Sequence, residues 1–240
     1  MLNNGQHLQE GGSAPMIRIL IADDHQIVRS GMRTLVESQP GWTVCGEASD
    51  GHEAVGLASE LKPDVVVLDF FMPRVNGLDA ARQILRDNRE QKILFLTVMD
   101  SEEIARNILE VGAKGYVLKS DAAHDLVAGI NTLIHNRSYF TTRVSNMVLE
   151  GFLRPNPGAN KASSVLTIRE REIVQMLAEG YVTKEVAVML NMSVKTAETH
   201  RSNIMRKLKI HSVAELVLYA VRNNLVQNAS SSWWHTAAAA

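Results

Sequence analysis

The chain has 240 residues, 45% of them hydrophobic and 21% charged, a soluble globular balance with room for two domains of ordinary size. No apolar run approaches a membrane span, the polar, Gly-containing start lacks the order of a secretory signal, and a single cysteine, Cys45, excludes an intrachain disulfide. A cytoplasmic location and no membrane partner are expected. Residues 1–160 carry 15 Lys+Arg against 20 Asp+Glu, and residues 161–240 carry 10 against 6, so the two halves are built for different partners, with nucleic acid the candidate for the second.

Residues 1–16 read as a disordered extension. Ile17 to Ala22 is an apolar, β-branched run and predicts a strand; it ends in Asp23-Asp24, with Asp24 placed to cap the following helix through Ile27, Val28, Met32, Leu35 and Val36. A strand over Trp42–Ala48 places Cys45 among apolar neighbours, and a helix over Gly51–Leu61 follows. Val65-Val66-Val67-Leu68-Asp69 reads as a strand covered on both faces that stops in a carboxylate, with Pro73 and Gly77 breaking the chain behind it. A helix from about Leu78 to Arg86, a strand Ile93–Thr97, a helix Glu102–Leu109, a short strand Tyr116–Lys119 and a helix Ala122–Ile134 complete the half.

This alternation predicts an α/β flavodoxin-like, doubly wound, five-stranded parallel sheet over residues 17–135. Right-handed crossovers put all strand ends on one edge, so Asp23, Asp24, Asp69, Thr97 and Lys119 converge there. Singly, each has an ordinary reading as a cap, turn residue or snorkelling lysine. Together they can do specific chemistry. Clustered carboxylates are tolerable around a divalent cation, and oxygen ligands with few protein contacts suit Mg²⁺. A carboxylate can attack phosphorus, with a lysine and the metal neutralising charge on the phosphoryl oxygens.

Asp23-Asp24, Asp69-Phe70-Phe71-Met72-Pro73 with Gly77, Thr97, and Gly112-Ala113-Lys114-Gly115-Tyr116-Val117-Leu118-Lys119 resemble the receiver domain of bacterial response regulators. The resemblance implies that Asp69 is the phosphoacceptor and that Asp23, Asp24, Asp69 and the Phe71 backbone carbonyl hold Mg²⁺. It implies that Lys119 contacts the phosphoryl group and that Thr97 and Tyr116 are switch residues drawn inward on phosphorylation. Val98, where the family usually has a small residue, together with Met99 and Phe71, is expected to crowd the site and slow hydrolysis of the phosphoaspartate.

Residues 136–163 read as a linker, with one short helix expected over Thr142–Phe152. Residues 164–228 predict an all-α domain of four helices. Thr167 with Glu170 three later forms a capping box before the first, Gly180 ends it, Thr183 opens the second, and Asn191-Met192-Ser193 turns into a third from Val194 to about Lys207. The second and third helices form a helix-turn-helix. Ala197, Ile204 and Leu208 share the inner face of the third helix, leaving Lys195, Glu198, Thr199, Ser202 and Arg206 on the face suited to a groove.

Leu166-Thr167, Arg169-Glu170-Arg171-Glu172, Lys184-Glu185-Val186-Ala187 and Ser193 through His200 are similar to the LuxR-type helix-turn-helix, so that the whole chain resembles a NarL/FixJ-type two-component response regulator. That resemblance implies a sensor histidine kinase as phosphodonor, double-stranded promoter DNA as target, and a homodimer when phosphorylated or on DNA. It implies no enzymatic turnover beyond self-catalysed phosphoryl transfer to Asp69 and slow autodephosphorylation. Base contacts are expected from Glu198, Thr199 and Ser202, phosphate contacts from Lys184, Lys195, Arg201 and Arg206, and dimer contacts from Ala214, Val217, Leu218 and Val221 on the last helix. Two other readings stay open at this point: a regulator of this fold that works without phosphorylation, and a Mg²⁺-dependent phosphatase on a similar sheet. Residues 229–240 match no pattern.

Overall fold

A computed structural model describes residues 16–98, 101–140, 145 and 165–227. The extension before residue 16, the helix expected over Thr142–Phe152 and the tail after residue 228 lie outside the described residues, as does Met99.

The strands are β1 (Ile17–Ala22), β2 (Trp42–Ala48), β3 (Val65–Asp69), β4 (Lys92–Thr97), β5 (Gly115–Leu118) and β6 (Tyr139–Phe140), all parallel, in the order β2-β1-β3-β4-β5-β6. The helices between them are α1 (Gln26–Glu37), α2 (Gly51–Leu61), α3 (Gly77–Asp87), α4 (Glu102–Glu110) and α5 (Ala122–Ile134). The period of two along the strands divides the core. Leu20, Val66, Leu68, Ile93 and Phe95 face α2, α3 and α4, whereas Ile19, Ile21, Val65, Val67, Leu94 and Leu96 face α1 and α5. Cys45 packs half-buried against the first of these layers.

The sheet has six strands where the sequence predicted five. The sixth is two residues long, too short to show any period, and pairs Tyr139 with Gly115 and Phe140 with Tyr116, carrying the domain past the expected boundary at residue 135. A second departure concerns Asp24. The N-cap of α1 is His25, with no side-chain cap, and the Asp24 carboxylate lies 2.6 Å from His25 Nδ1 instead.

The second domain comprises α6 (Ile168–Ala178), α7 (Thr183–Met189), α8 (Val194–Leu208) and α9 (Val213–Arg222) around Leu166, Ile173, Val174, Met176, Val186, Ile204, Leu216 and Ala220. The capping box forms as predicted, with Thr167 N–H donating to Glu170 at 2.9 Å and Glu170 N–H donating back to Thr167 Oγ1 at 3.2 Å. Glu170 then accepts Lys207 Nζ at 2.7 Å on both carboxylate oxygens, tying α8 to the head of α6. From Glu170 to Leu177 every residue of α6 is buried, although the stretch opens with three charged residues and includes Gln175. Its apolar side faces its own domain; its polar side is covered by the first domain.

Gly77 illustrates how closely the site is built. A Cβ there would lie 1.9 Å from the Asp69 carbonyl oxygen, and its N–H donates to the Phe70 carbonyl at 2.9 Å. The obstacle is backbone, which cannot swing aside. Gly77→Ala is expected to destabilise the protein by about 2–3 kcal/mol, read as a lower urea midpoint at unchanged slope.

Candidate functional site: an acidic sheet edge and a helix-turn-helix

Strand register places the acidic cluster. Ala22 pairs with Leu68, so the next residues, Asp23 and Asp69, leave adjacent strands side by side. Thr97 pairs with Leu118, so Lys119 emerges one step beyond on the next strand but one. Asp23 is wholly buried and Asp69 4% exposed. Lys119 Nζ lies between them, 2.6 Å from Asp23 Oδ2 and 2.8 Å from Asp69 Oδ2. The β1–α1 turn is pinned by His25 N–H donating to Asp23 Oδ1 at 2.9 Å and by Arg29 Nη1 donating to the Asp23 carbonyl at 2.7 Å.

Burial pushes the Asp69 carboxyl up, Lys119 pulls it down, and Asp23 and Asp24 push it up again, to about 7 overall. Burial works against the Lys119 ammonium, but Asp69 and Asp23 outweigh it and its pKa rises. Asp23, Asp24, His25 and Asp69 each offer a ligand atom, all within 4.8 Å of one another. Asp23 Oδ2 and Asp24 Oδ1 are buried with few donors around them: Lys119 Nζ lies 2.6 Å from the first and His25 Nδ1 2.6 Å from the second. Oxygen atoms left in that condition fit a hard divalent cation.

Thr97 and Tyr116 are both fully buried. Tyr116 lies in the layer of Phe70, Phe95, Ile104 and Ile108. Of the three residues expected to crowd the site, Met99 lies outside the described residues. Phe71 turns into the core, edge-on to Phe70 with ring centroids 4.8 Å apart, and Val98 is 54% exposed.

His25 is one residue that sequence reasoning missed, although its position directly after two carboxylates was a signal. The loop after Asp69 is another. Asn76 caps α3 by accepting from Asp79 N–H at 2.9 Å, and Arg74, with φ at 65°, ion-pairs with Asp50, the N-cap of α2. The second domain sits on this loop. Arg171 Nε donates to both oxygens of Asp79 at 2.8 and 3.0 Å; Gln175 bonds the backbone at Met72 and Asn76; Arg74 N–H donates to Glu179 at 3.2 Å; and Gln83 Nε2 donates to Glu172 at 3.2 Å. No periodicity or motif announced these pairs, which join residues some 90 to 105 positions apart.

In the second domain, Ala197 and Ile204 are buried, while Lys184, Lys195, Glu198, Thr199, Ser202 and Arg206 are exposed. Thr199 Oγ1 donates to the Lys195 carbonyl at 2.9 Å, and Arg206 Nη2 donates to Asn203 at 2.9 Å. Arg201 is half-buried, with Nη1 on Thr183 Oγ1 at 3.3 Å, so it steadies α7 against α8. On α9, Ala214 and Leu218 are exposed and Val217 and Val221 half-buried, opposite the inward Leu216 and Ala220.

A doubly wound sheet with an acidic carboxyl edge, joined to a helix-turn-helix, defines a signal-receiving DNA-binding regulator. The comparisons agree. Residues 19–131 match the response regulator receiver domain and residues 164–220 the luxR family of bacterial regulatory proteins. The chain is 37% identical over 211 residues to the transcriptional regulatory protein LiaR of Bacillus subtilis, covering 88% of this chain and 100% of LiaR. It is 36% identical over 217 residues to the oxygen regulatory protein NreC of Staphylococcus epidermidis, with coverage of 88% and 100%. Among solved structures it resembles a LuxR-family two-component response regulator from Aurantimonas (TM-score 0.56, 35% identity, 58% of this chain and 99% of that one). It also resembles the response regulator RcsB in a DNA complex (TM-score 0.55, 26% identity, 87% and 98%).

The chain belongs to the NarL/FixJ-type two-component response regulators, with a receiver domain and a LuxR-type DNA-binding domain. Its family regulates transcription and is not one of metabolic enzymes. Response regulators work with sensor kinases and DNA, and receiver domains generally bind Mg²⁺ at an acidic cluster. No helix among the described residues is long and apolar enough to cross a membrane.

With its pKa near 7, Asp69 keeps in the native state a proton that the unfolded chain gives up near pH 4. The resulting stabilisation is full below about pH 4 and lost as pH rises through about 7. Without Mg²⁺, the wild type is therefore expected to lose roughly 1–3 kcal/mol more than Asp69→Asn between pH 5 and pH 8 in urea unfolding.

Proposed function

We propose that Asp69 accepts a phosphoryl group from a sensor histidine kinase and that this modification controls binding of α8 to promoter DNA. The observation that carries the reading is the Lys119 ammonium held between Asp23 and Asp69 at a nearly closed sheet edge. Mg²⁺, held by Asp23, Asp24, Asp69 and the Phe71 carbonyl, would neutralise negative charge where the phosphoryl group arrives. Asp69 supplies the attacking carboxylate oxygen. Lys119, already charged and already adjacent, meets the phosphoryl oxygens without reorganising. Thr97, buried at the end of β4, is the hydroxyl that hydrogen-bonds the transferred group, and Tyr116, buried on β5, is the aromatic that responds to it. The chain carries out this transfer to itself, and slow hydrolysis of the phosphoaspartate is its only other chemistry.

The exposed edge of α8 enters the major groove, with Glu198, Thr199 and Ser202 toward base edges and Lys184, Lys195 and Arg206 toward phosphates. Arg201 acts chiefly through Thr183, to which it is already bonded. Ala214, Val217, Leu218 and Val221 form the apolar stripe that pairs two copies on DNA; Ala214 and Leu218 are its exposed members.

Phosphorylation from a small phosphodonor, followed on a phosphate-affinity gel, should be abolished by Asp69→Asn. A DNA selection with and without beryllofluoride should then yield the half-site and show tighter binding with it. An unaltered label on Asp69→Asn would overturn the assignment of the acceptor. Lys195→Ala should weaken binding to all sequences alike and reduce the dependence of log K on log salt by about one unit. Titrations at two salt concentrations check this.

A further inference from the structure

Gln175 belongs to the DNA-binding domain, yet its amide is spent on the receiver's backbone. It is 1% exposed; Nε2 donates to the Met72 carbonyl at 2.6 Å and Oε1 accepts from Asn76 N–H at 2.9 Å. One turn earlier Arg171 grips Asp79, and one turn later Glu179 accepts from Arg74 N–H, so the positions i, i+4 and i+8 form one stripe along α6. What this stripe holds is the segment Phe70–Asn76, which leaves the acceptor Asp69 and carries the Phe71 carbonyl. Three backbone groups of that loop, on Met72, Arg74 and Asn76, are bonded by the other domain.

A carbonyl ligand on a loop acts only when the loop is ordered, and ordering it before the cation and phosphoryl group arrive makes their binding more favourable. We propose that Gln175 is a positioning residue for the phosphorylation site, supplied in cis by the DNA-binding domain, so that docking of α6 and phosphorylation reinforce each other. By linkage the factor is the same in both directions. The docked arrangement leaves Lys195, Glu198, Thr199 and Ser202 exposed, so docking and DNA contact are compatible. The inference rests on the reading of Asp69 as acceptor.

The test uses the full chain with acetyl phosphate and Mg²⁺, comparing wild type, Gln175→Met, which keeps the side-chain volume without its hydrogen bonds, and Gln175→Glu, which keeps the bonds from Asn76 but sets a carboxylate against the Met72 carbonyl and against Glu179, to which Gln175 Nε2 donates at 2.7 Å. Gln175→Met is expected to lower the saturating phosphorylation rate and to raise the Mg²⁺ concentration for half-maximal beryllofluoride binding, each by about fivefold. Gln175→Glu should impair both at least as strongly, because its buried carboxylate meets Glu179 and the Met72 carbonyl. Hydrogen exchange over residues 70–76 and 171–179 should slow on beryllofluoride binding in the wild type and respond less in Gln175→Met. Wild-type rate and Mg²⁺ midpoint in Gln175→Met, or faster exchange of α6 with beryllofluoride, would overturn the inference. Labelling of Asp69→Asn at the wild-type rate would instead remove the acceptor assignment beneath it.

Discussion

Lys119 places one ammonium between two carboxylates that are almost entirely out of water, and the carboxyl edge of the sheet depends on it. Two like charges about 4 Å apart at an effective dielectric near 20 repel by about 4 kcal/mol, and Asp24 adds to that strain. A single cation cannot balance three acids. The edge therefore folds with one ammonium among three carboxyls, and Asp69 relieves part of the repulsion by holding a proton up to about pH 7. That arrangement suits a family whose receiver domains generally bind Mg²⁺ at an acidic cluster.

The contact between the domains is built on the same terms but reaches a different balance. Asp79, Asn76, Arg171 and Gln175 are all nearly or fully buried, and each has partners: Arg171 and Arg82 on Asp79, and the loop backbone on Gln175. A satisfied polar interface of this kind adds little net stability over an apolar one, yet it is expensive to half-break, since removing one partner strands the other without water. It is therefore specific in register. Glu179 stands at its accessible rim, where the surrounding protein pushes its carboxyl up more than Gln175 and the Arg74 N–H pull it down.

Much of this architecture was legible in the residues. The doubly wound sheet followed from apolar runs such as Val65–Leu68 between amphipathic stretches, and the convergence of Asp23, Asp69 and Lys119 followed from chain direction alone, since parallel strands must end on one edge. The inner face of α8 was equally open to reading, because Ala197, Ile204 and Leu208 repeat at helical spacing. What escaped were features without period. β6 is two residues long, and Tyr139–Phe140 pairs only because a sheet edge is there to meet it. The role of Asp24 was misjudged because a cap and an ion pair with His25 call for the same residue type. The polar stripe of α6 carried no signal of its role, because Arg171 and Gln175 are buried by a domain far away in sequence, and single-chain patterning does not register that distance.

The bond from Lys207 to Glu170 has a mechanical consequence. Because it fastens the recognition helix to the head of the helix that rests on the receiver, α6 and α8 turn as one piece. The fifteen residues of α8 span about 22 Å. A tilt of roughly 10° at the receiver would sweep the far end of that arm through about 4 Å, slightly more than the 3.4 Å rise of one base pair. The distance between reading one base step and reading the next thus corresponds to a small adjustment of a loop beside a single aspartate.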